Sequence, residues 1–133
     1  MSNPLTELMK TGQSVWFDQM ERKLVTSGKL QKMIDEDDLR GLTSNPTIFA
    51  KAITGSDRYD GQLGTLVESG VREGRELFFA IALDDVRRAA AILHPAYEHS
   101  GGRDGFISFE CTPDVADDTE ATIAQALDLW HRL

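Results

Sequence analysis

The sequence predicts an α/β fold of parallel strands joined by helices, amounting to about three β/α units. Three observations lead there. Three β-prone runs occur, near residues 14–18, 40–45 and 106–111. Apolar residues at helical spacing fill both intervals between them, and separate helical connections between strands argue for a parallel sheet. The length, 133 residues, is room for one domain, and is about half of the roughly 250 residues that a complete (β/α)8 barrel takes. The expectation is a single incomplete barrel domain over residues 1–133, or part of something longer.

Each element has its local reason. Ser14-Val15-Trp16-Phe17 is a β-prone run closed by Asp18. A helical stretch follows from Gln19 to about Leu24. It is interrupted at Ser27-Gly28, where Ser27 is expected to cap a second piece with Leu30, Met33 and Ile34 on one face. Leu39 to Ser44 is the second strand. Asn45 ends it and caps a short helix to about Ile53, with Pro46 suited to the first turn. Residues 54–60 read as a loop. Tyr59, Leu63, Leu66 and Val67 then recur at helical spacing, and Gly70 and Gly74 bracket a break. Leu77, Phe78, Ile81 and Ala82 form another apolar face. Asp84 is expected to cap a further helix carrying Val86, Ala89, Ala90 and Leu93, kinked at Pro95. The segment from Ser100 to Gly105 is a turn signal. Phe106 to Cys111 is the third strand. Asp117 with Glu120 three residues later resembles a capping box. Ile123, Ala126, Leu127 and Trp130 give the last helix one apolar face, assigned to the core.

Composition narrows the function. Hydrophobic residues make up 41% and charged residues 27%, which are globular rather than disordered proportions. Fourteen basic residues against 22 acidic ones leave a net charge of -8. Such a chain offers no general basic surface to phosphates, so nucleic-acid and anionic-membrane binding are disfavoured, while a local anion site is not. The single cysteine, Cys111, makes no internal disulfide and fits a reducing cytoplasm. The longest apolar run, Leu77 to Leu83, is too short to span a bilayer, and residues 1–10 lack the apolar core of a secretory signal.

Three polar residues fall at equivalent places, near the C-terminal ends of the strands: Asp18, Asn45 and Glu110. In parallel β/α architectures that end carries the active site. Each also has a purely structural reading. Asp18 caps the helix after it, Asn45 before Pro46 is a natural N-cap, and Glu110 is an edge-strand carboxylate. Alternation with Phe106 puts Glu110 on the Ser108 side of the strand. His94, His99 and His131 do not cluster with Cys111 at metal-ligand spacing. Asp35-Glu36-Asp37-Asp38 reads as a solvated acidic turn. Ser44 lacks the flanking glycines of a nucleophile elbow.

Several segments together resemble a known family. Gly12-Gln13-Ser14-Val15-Trp16-Phe17-Asp18, Thr26-Ser27-Gly28 and, above all, Gly41-Leu42-Thr43-Ser44-Asn45-Pro46-Thr47-Ile48-Phe49 are similar to transaldolase. So are residues 101–110, ending in Ser108-Phe109-Glu110, and Asp118-Thr119-Glu120. The resemblance runs from about Gly12 to the end. It implies the N-terminal part of a (β/α)8 TIM-type barrel. Some members of the family are fused to a glucose-6-phosphate isomerase.

The activity so implied is transfer of a dihydroxyacetone unit between sugar phosphates in the pentose phosphate pathway. The substrates are fructose 6-phosphate, sedoheptulose 7-phosphate, erythrose 4-phosphate and glyceraldehyde 3-phosphate, and no metal or organic cofactor takes part. A barrel lysine forms a Schiff base with the ketose donor. Carried across by motif, Asp18 handles the C4 hydroxyl proton during C3–C4 cleavage. Glu110 works through a water in forming and breaking the Schiff base. Asn45 bonds the donor's hydroxyls, with Thr43 and Ser44 as supports at the same strand end.

The family's Schiff-base lysine lies on the strand after the last helix seen here, and the residues that hold the sugar phosphate lie later still. The lysines present, Lys10, Lys23, Lys29, Lys32 and Lys51, sit in no strand candidate. The expectation is therefore an inactive chain on its own, of marginal stability. Two other readings stay open. One is a fructose-6-phosphate aldolase-type lyase, which uses the same imine chemistry but releases the three-carbon ketone. The other is a non-catalytic interaction fragment that associates through its open sheet edge.

Overall fold

A computed structural model describes residues 3–133. Three strands form one sheet in the order β1 (Val15–Asp18), β2 (Leu39–Ser44) and β3 (Phe106–Phe109), and both pairings are parallel. The α/β architecture expected from the sequence is present. The helices are α1 (Pro4–Met9), α2 (Arg22–Thr26), α3 (Lys29–Asp37), α4 (Pro46–Thr54), α5 (Asp60–Glu68), α6 (Gly74–His99) and α7 (Thr119–Arg132). Short 3-10 turns cover Asp57–Tyr59 and Pro113–Val115.

Side chains alternate across a strand, so the register sorts the sheet into two faces. Trp16 pairs with Gly41 and Gly41 with Phe106; Asp18 pairs with Thr43 and Thr43 with Ser108. These six share one face. Phe17, Leu42 and Ile107 point the other way and pack on a core built from Leu24, Leu30, Phe49, Ala82, Val86 and Leu93. The helices thus cover one face of the sheet. On the other, Trp16 and Phe106 remain 40% and 43% exposed. Gly41 has a specific reason: a Cβ there would collide with the Trp16 indole, which lies across the strand.

The ends of several elements differ from the sequence expectation. The first helix after β1 starts at Arg22 rather than Gln19. Gly28, with φ 79°, is the N-cap of α3, while the Ser27 hydroxyl accepts from the Lys29 N–H at 3.3 Å. The last helix is capped one residue later than expected. Asp118 rather than Asp117 accepts the Ala121 N–H, because a capping oxygen reaches the amide three residues ahead and the helix begins at Thr119. Helix α1 is additional to the elements expected, and Asn3 followed by Pro4 starts it with the same cap signal as Asn45-Pro46. The third strand ends at Phe109, two residues short of the expected Cys111.

Two corrections are larger. Asp84 does not start a helix; it lies inside a continuous 26-residue α6, whose cap is Glu73, accepting from Arg75 N and Glu76 N. The helix also continues through Pro95, although that residue has no N–H to offer the Ala91 carbonyl. Trp130, assigned to the core, is 76% exposed, with Ile123 and Leu127 also outward. Helix α7 packs instead through Leu129, against Phe79 and Leu83 of α6.

Candidate active site

The site forms where the strands end. Asp18 is the last residue of β1, and Thr43 stands beside it in register on β2. The Thr43 hydroxyl donates to Asp18 Oδ1 at 2.6 Å, so one carboxylate oxygen is held and Oδ2 accepts no hydrogen bond among the described residues. Asn45 follows β2 at once. Its Oδ1 accepts the Ile48 N–H at 2.9 Å and caps α4, while its Nδ2 donates to no protein group among the described residues. The capping and substrate-binding readings are therefore compatible: one end of the amide caps, and the other is available as a donor. Glu110 follows β3 directly and is exposed.

These residues come together. Asp18, Asn45 and Glu110 line one cavity of about 670 Å³, with Ile48 and Val115 among its apolar walls. Thr43 lies behind Asp18 and outside the lining. Ser44 is not brought to the cavity. It is 1% exposed, and its hydroxyl donates to the Ser108 carbonyl at 3.2 Å, tying β2 to β3.

Two clamps hold the segments that follow the carboxylates. Past β1, the Arg22 guanidinium stacks on the Tyr59 ring at 4.5 Å, and its Nε donates to Asp85 Oδ1 at 2.9 Å. The Arg22 backbone N–H donates to the Tyr59 hydroxyl at 2.7 Å. Burial pushes the Tyr59 phenol up to about 12, partly offset by that hydrogen bond. Burial also raises the Asp85 carboxyl, against the pull of Arg22. Past β3, Gln125 of α7 receives the Thr112 N–H at 2.7 Å and donates back to the Thr112 hydroxyl at 2.8 Å. This fixes the segment after Glu110 to the last helix.

Sequence reasoning missed Lys51, Cys111 and Thr112 as cavity-lining residues. For Lys51 the sequence holds only a helical spacing, which becomes informative once Ile48 is known to line the cavity. It lies three positions after Ile48 on α4, and residues three apart share a helix face. No group of three or more His, Cys, Asp or Glu side chains among the described residues is placed to hold a metal ion. No described helix is long and apolar enough to cross a membrane.

A parallel β/α sheet with polar residues gathered beyond its C-terminal strand ends has the layout of a barrel enzyme's active end. The family model for transaldolase/fructose-6-phosphate aldolase matches residues 15–133. The chain belongs to that family. It is 45% identical over 130 residues to a transaldolase of Thermobifida fusca, covering 98% of this chain and 35% of that relative. It is 40% identical over 130 residues to a transaldolase of Trichodesmium erythraeum, covering 96% of this chain and 33% of the relative. Transaldolase 2 of Streptomyces coelicolor is 43% identical over 129 residues, with coverage of 97% and 34%. The chain thus spans about a third of the length of the curated relatives it matches.

Proposed function

We propose that these residues supply the Asp18–Asn45–Glu110 part of a transaldolase site, in which a dihydroxyacetone unit passes between sugar phosphates through a Schiff base. The observation that carries this reading is the convergence of the three side chains on one cavity beyond the strand ends.

The chemistry follows from their placement. Cleavage of the C3–C4 bond needs a base at the C4 hydroxyl, which becomes the aldehyde carbonyl, and an electron sink, which the iminium provides. Asp18 takes that proton at Oδ2 while Thr43 anchors Oδ1. The Asn45 Nδ2 donates to a hydroxyl of the ketose and orients it. Glu110 moves protons through a water as the carbinolamine loses or regains hydroxide. Two carboxylates in separate surroundings can divide acid and base work in this way.

The amine is a separate matter. All five lysines lie on helices or, for Lys10, at the end of α1, and none is on a strand. Residues 1–133 alone are therefore expected to show no transfer. The test is a hybrid in which residues 3–133 replace the aligned third of the Thermobifida fusca relative, assayed for transfer from fructose 6-phosphate to erythrose 4-phosphate. Activity that falls in Glu110→Gln and Asn45→Ala hybrids supports the reading. Full activity in both would refute it. Free dihydroxyacetone release in place of transfer would favour the lyase.

Two further properties belong to the same proposal. The polypeptide works in the cytoplasm, consistent with its lone thiol. The 133-residue chain associates with a second copy of itself through the outer edge of β3 and the outward stripe of α7, since an unpaired edge and exposed apolar residues both favour pairing.

A further inference from the structure

The Glu110 carboxylate has no side-chain partner to aim it. It is exposed, and it takes part in no hydrogen bond or ion pair with any described residue. Its position therefore comes from the backbone on either side. On the near side, Phe109 is the last residue of β3 and pairs in register with Ser44. On the far side the chain leaves the sheet, and α7 holds it. The Cys111 thiol donates to the Thr122 carbonyl at 3.8 Å, and the Thr122 hydroxyl donates to the Val115 carbonyl at 2.6 Å. The bond nearest Glu110 is the two-sided one between Gln125 and Thr112. A backbone N–H can only donate, so the Thr112 N–H faces Gln125 Oε1, which leaves Nε2 for the Thr112 hydroxyl.

The helix presents Gln125 to Thr112 for a reason of its own. Thr122, Gln125 and Leu129 follow one another at spacings of three and four, which is one face of α7. Leu129 is buried on Phe79 and Leu83 of α6. Burying Leu129 thus turns Gln125 toward the segment after β3.

From this arrangement we infer that Gln125 is a positioning residue for Glu110: by holding Thr112, two residues further on, it sets where the Glu110 carboxylate meets the cavity. The inference rests on the transaldolase reading and deepens it. In that reading Glu110 passes protons through a water as the carbinolamine loses or regains hydroxide. Such a relay works only within hydrogen-bond reach, about 2.6–3.2 Å at each link. A displacement of about 1 Å costs up to about 100-fold. A carboxylate aimed by its backbone alone feels any slackening two residues away. Gln125 itself does not line the cavity, so its effect runs through Glu110.

The test uses the hybrid enzyme, mixed with fructose 6-phosphate and quenched into borohydride at increasing times. Glu110→Gln should slow the appearance of trapped adduct by about 100-fold or more. Gln125→Leu should slow it about tenfold, with the melting temperature little changed because Leu129 still anchors α7. The final amount trapped should match the parent, since a proton relay speeds formation and hydrolysis of the imine alike. Gln125→Glu, whose carboxylate can accept from both the N–H and the hydroxyl of Thr112, should recover most of the rate. In the Glu110→Gln background, Gln125→Leu should cause no further slowing, because the group it positions is already gone. An unchanged rate in Gln125→Leu, or a slowing that multiplies with that of Glu110→Gln, would overturn the inference while the transaldolase reading stands. If Glu110→Gln itself traps at the parent rate, the role given to Glu110 falls, and the inference falls with it.

Discussion

Thr43 and Asp18 stand side by side on neighbouring parallel strands, and the Thr43 hydroxyl donates to Asp18 Oδ1 at 2.6 Å. The bond points one carboxylate oxygen at the protein and leaves the other for the cavity. A hydrogen bond to a charged acceptor contributes about 1.5–3 kcal/mol where it is shielded, and less in an exposed setting such as this. Thr43→Val in the hybrid enzyme is therefore expected to cut transfer about tenfold. Thr43→Ser should restore it, and the melting temperature should hardly change. A Val variant with unchanged kcat would show that the bond does not position Asp18.

Tyr59 gives a pH signature. Burial holds its phenol at about 12, above the 10.0 of a free tyrosine. The folded chain therefore binds this proton more tightly than the unfolded chain does. The resulting stability is fully present below about pH 10 and is lost as the pH rises through 12. With Tyr97→Phe, Tyr59 is the only tyrosine, and ultraviolet difference spectroscopy should show its phenolate appearing near pH 12 or together with unfolding. A phenolate near pH 10 on a folded chain would mean that Tyr59 is not packed beneath Arg22 as described.

The outward stripe of α7 predicts association. Ile123, Leu127 and Trp130 are 55%, 54% and 76% exposed. Sedimentation of the 133-residue chain should depend on concentration, and Ile123→Lys with Leu127→Lys should weaken that dependence. Because both side chains are already exposed, the double variant should cost little stability, within about 0.5 kcal/mol per site. A strictly monomeric, well-folded species at every concentration would count against self-pairing.

What could be read from the sequence was local. β-prone runs announced the strands, and Asn45-Pro46 announced both a strand end and a helix start. Tertiary pairings had no such trace. Asp84 reads as a helix cap because an aspartate oxygen can accept first-turn amides, yet it lies within α6, and its neighbour Asp85 is buried in mid-helix on Arg22, 63 residues away in sequence. Trp130 reads as core because it continues the apolar spacing of α7, yet that helix turns Leu129 inward instead. Thr43 and Ser44 looked interchangeable as supports. Strand alternation sends Thr43 to the side of Asp18, while the Ser44 hydroxyl bonds the Ser108 carbonyl. The strand-end positions of Asp18, Asn45 and Glu110 were legible. Lys51 was not singled out, because a lysine on a short helix looks like solvated surface until the cavity beside it is seen.

The central claim is that Asp18 handles the C4 proton and takes no part in building the Schiff base. The most direct measurement is made on the hybrid enzyme carrying Asp18→Asn, with borohydride trapping of bound fructose 6-phosphate and transfer to erythrose 4-phosphate followed side by side. Loss of a positioned acid/base slows its step about 10²–10⁴-fold. The predicted result is covalent trapping as in the parent hybrid with transfer slowed by at least about 100-fold. Transfer at the parent rate, or loss of trapping with the fold intact, would contradict the account.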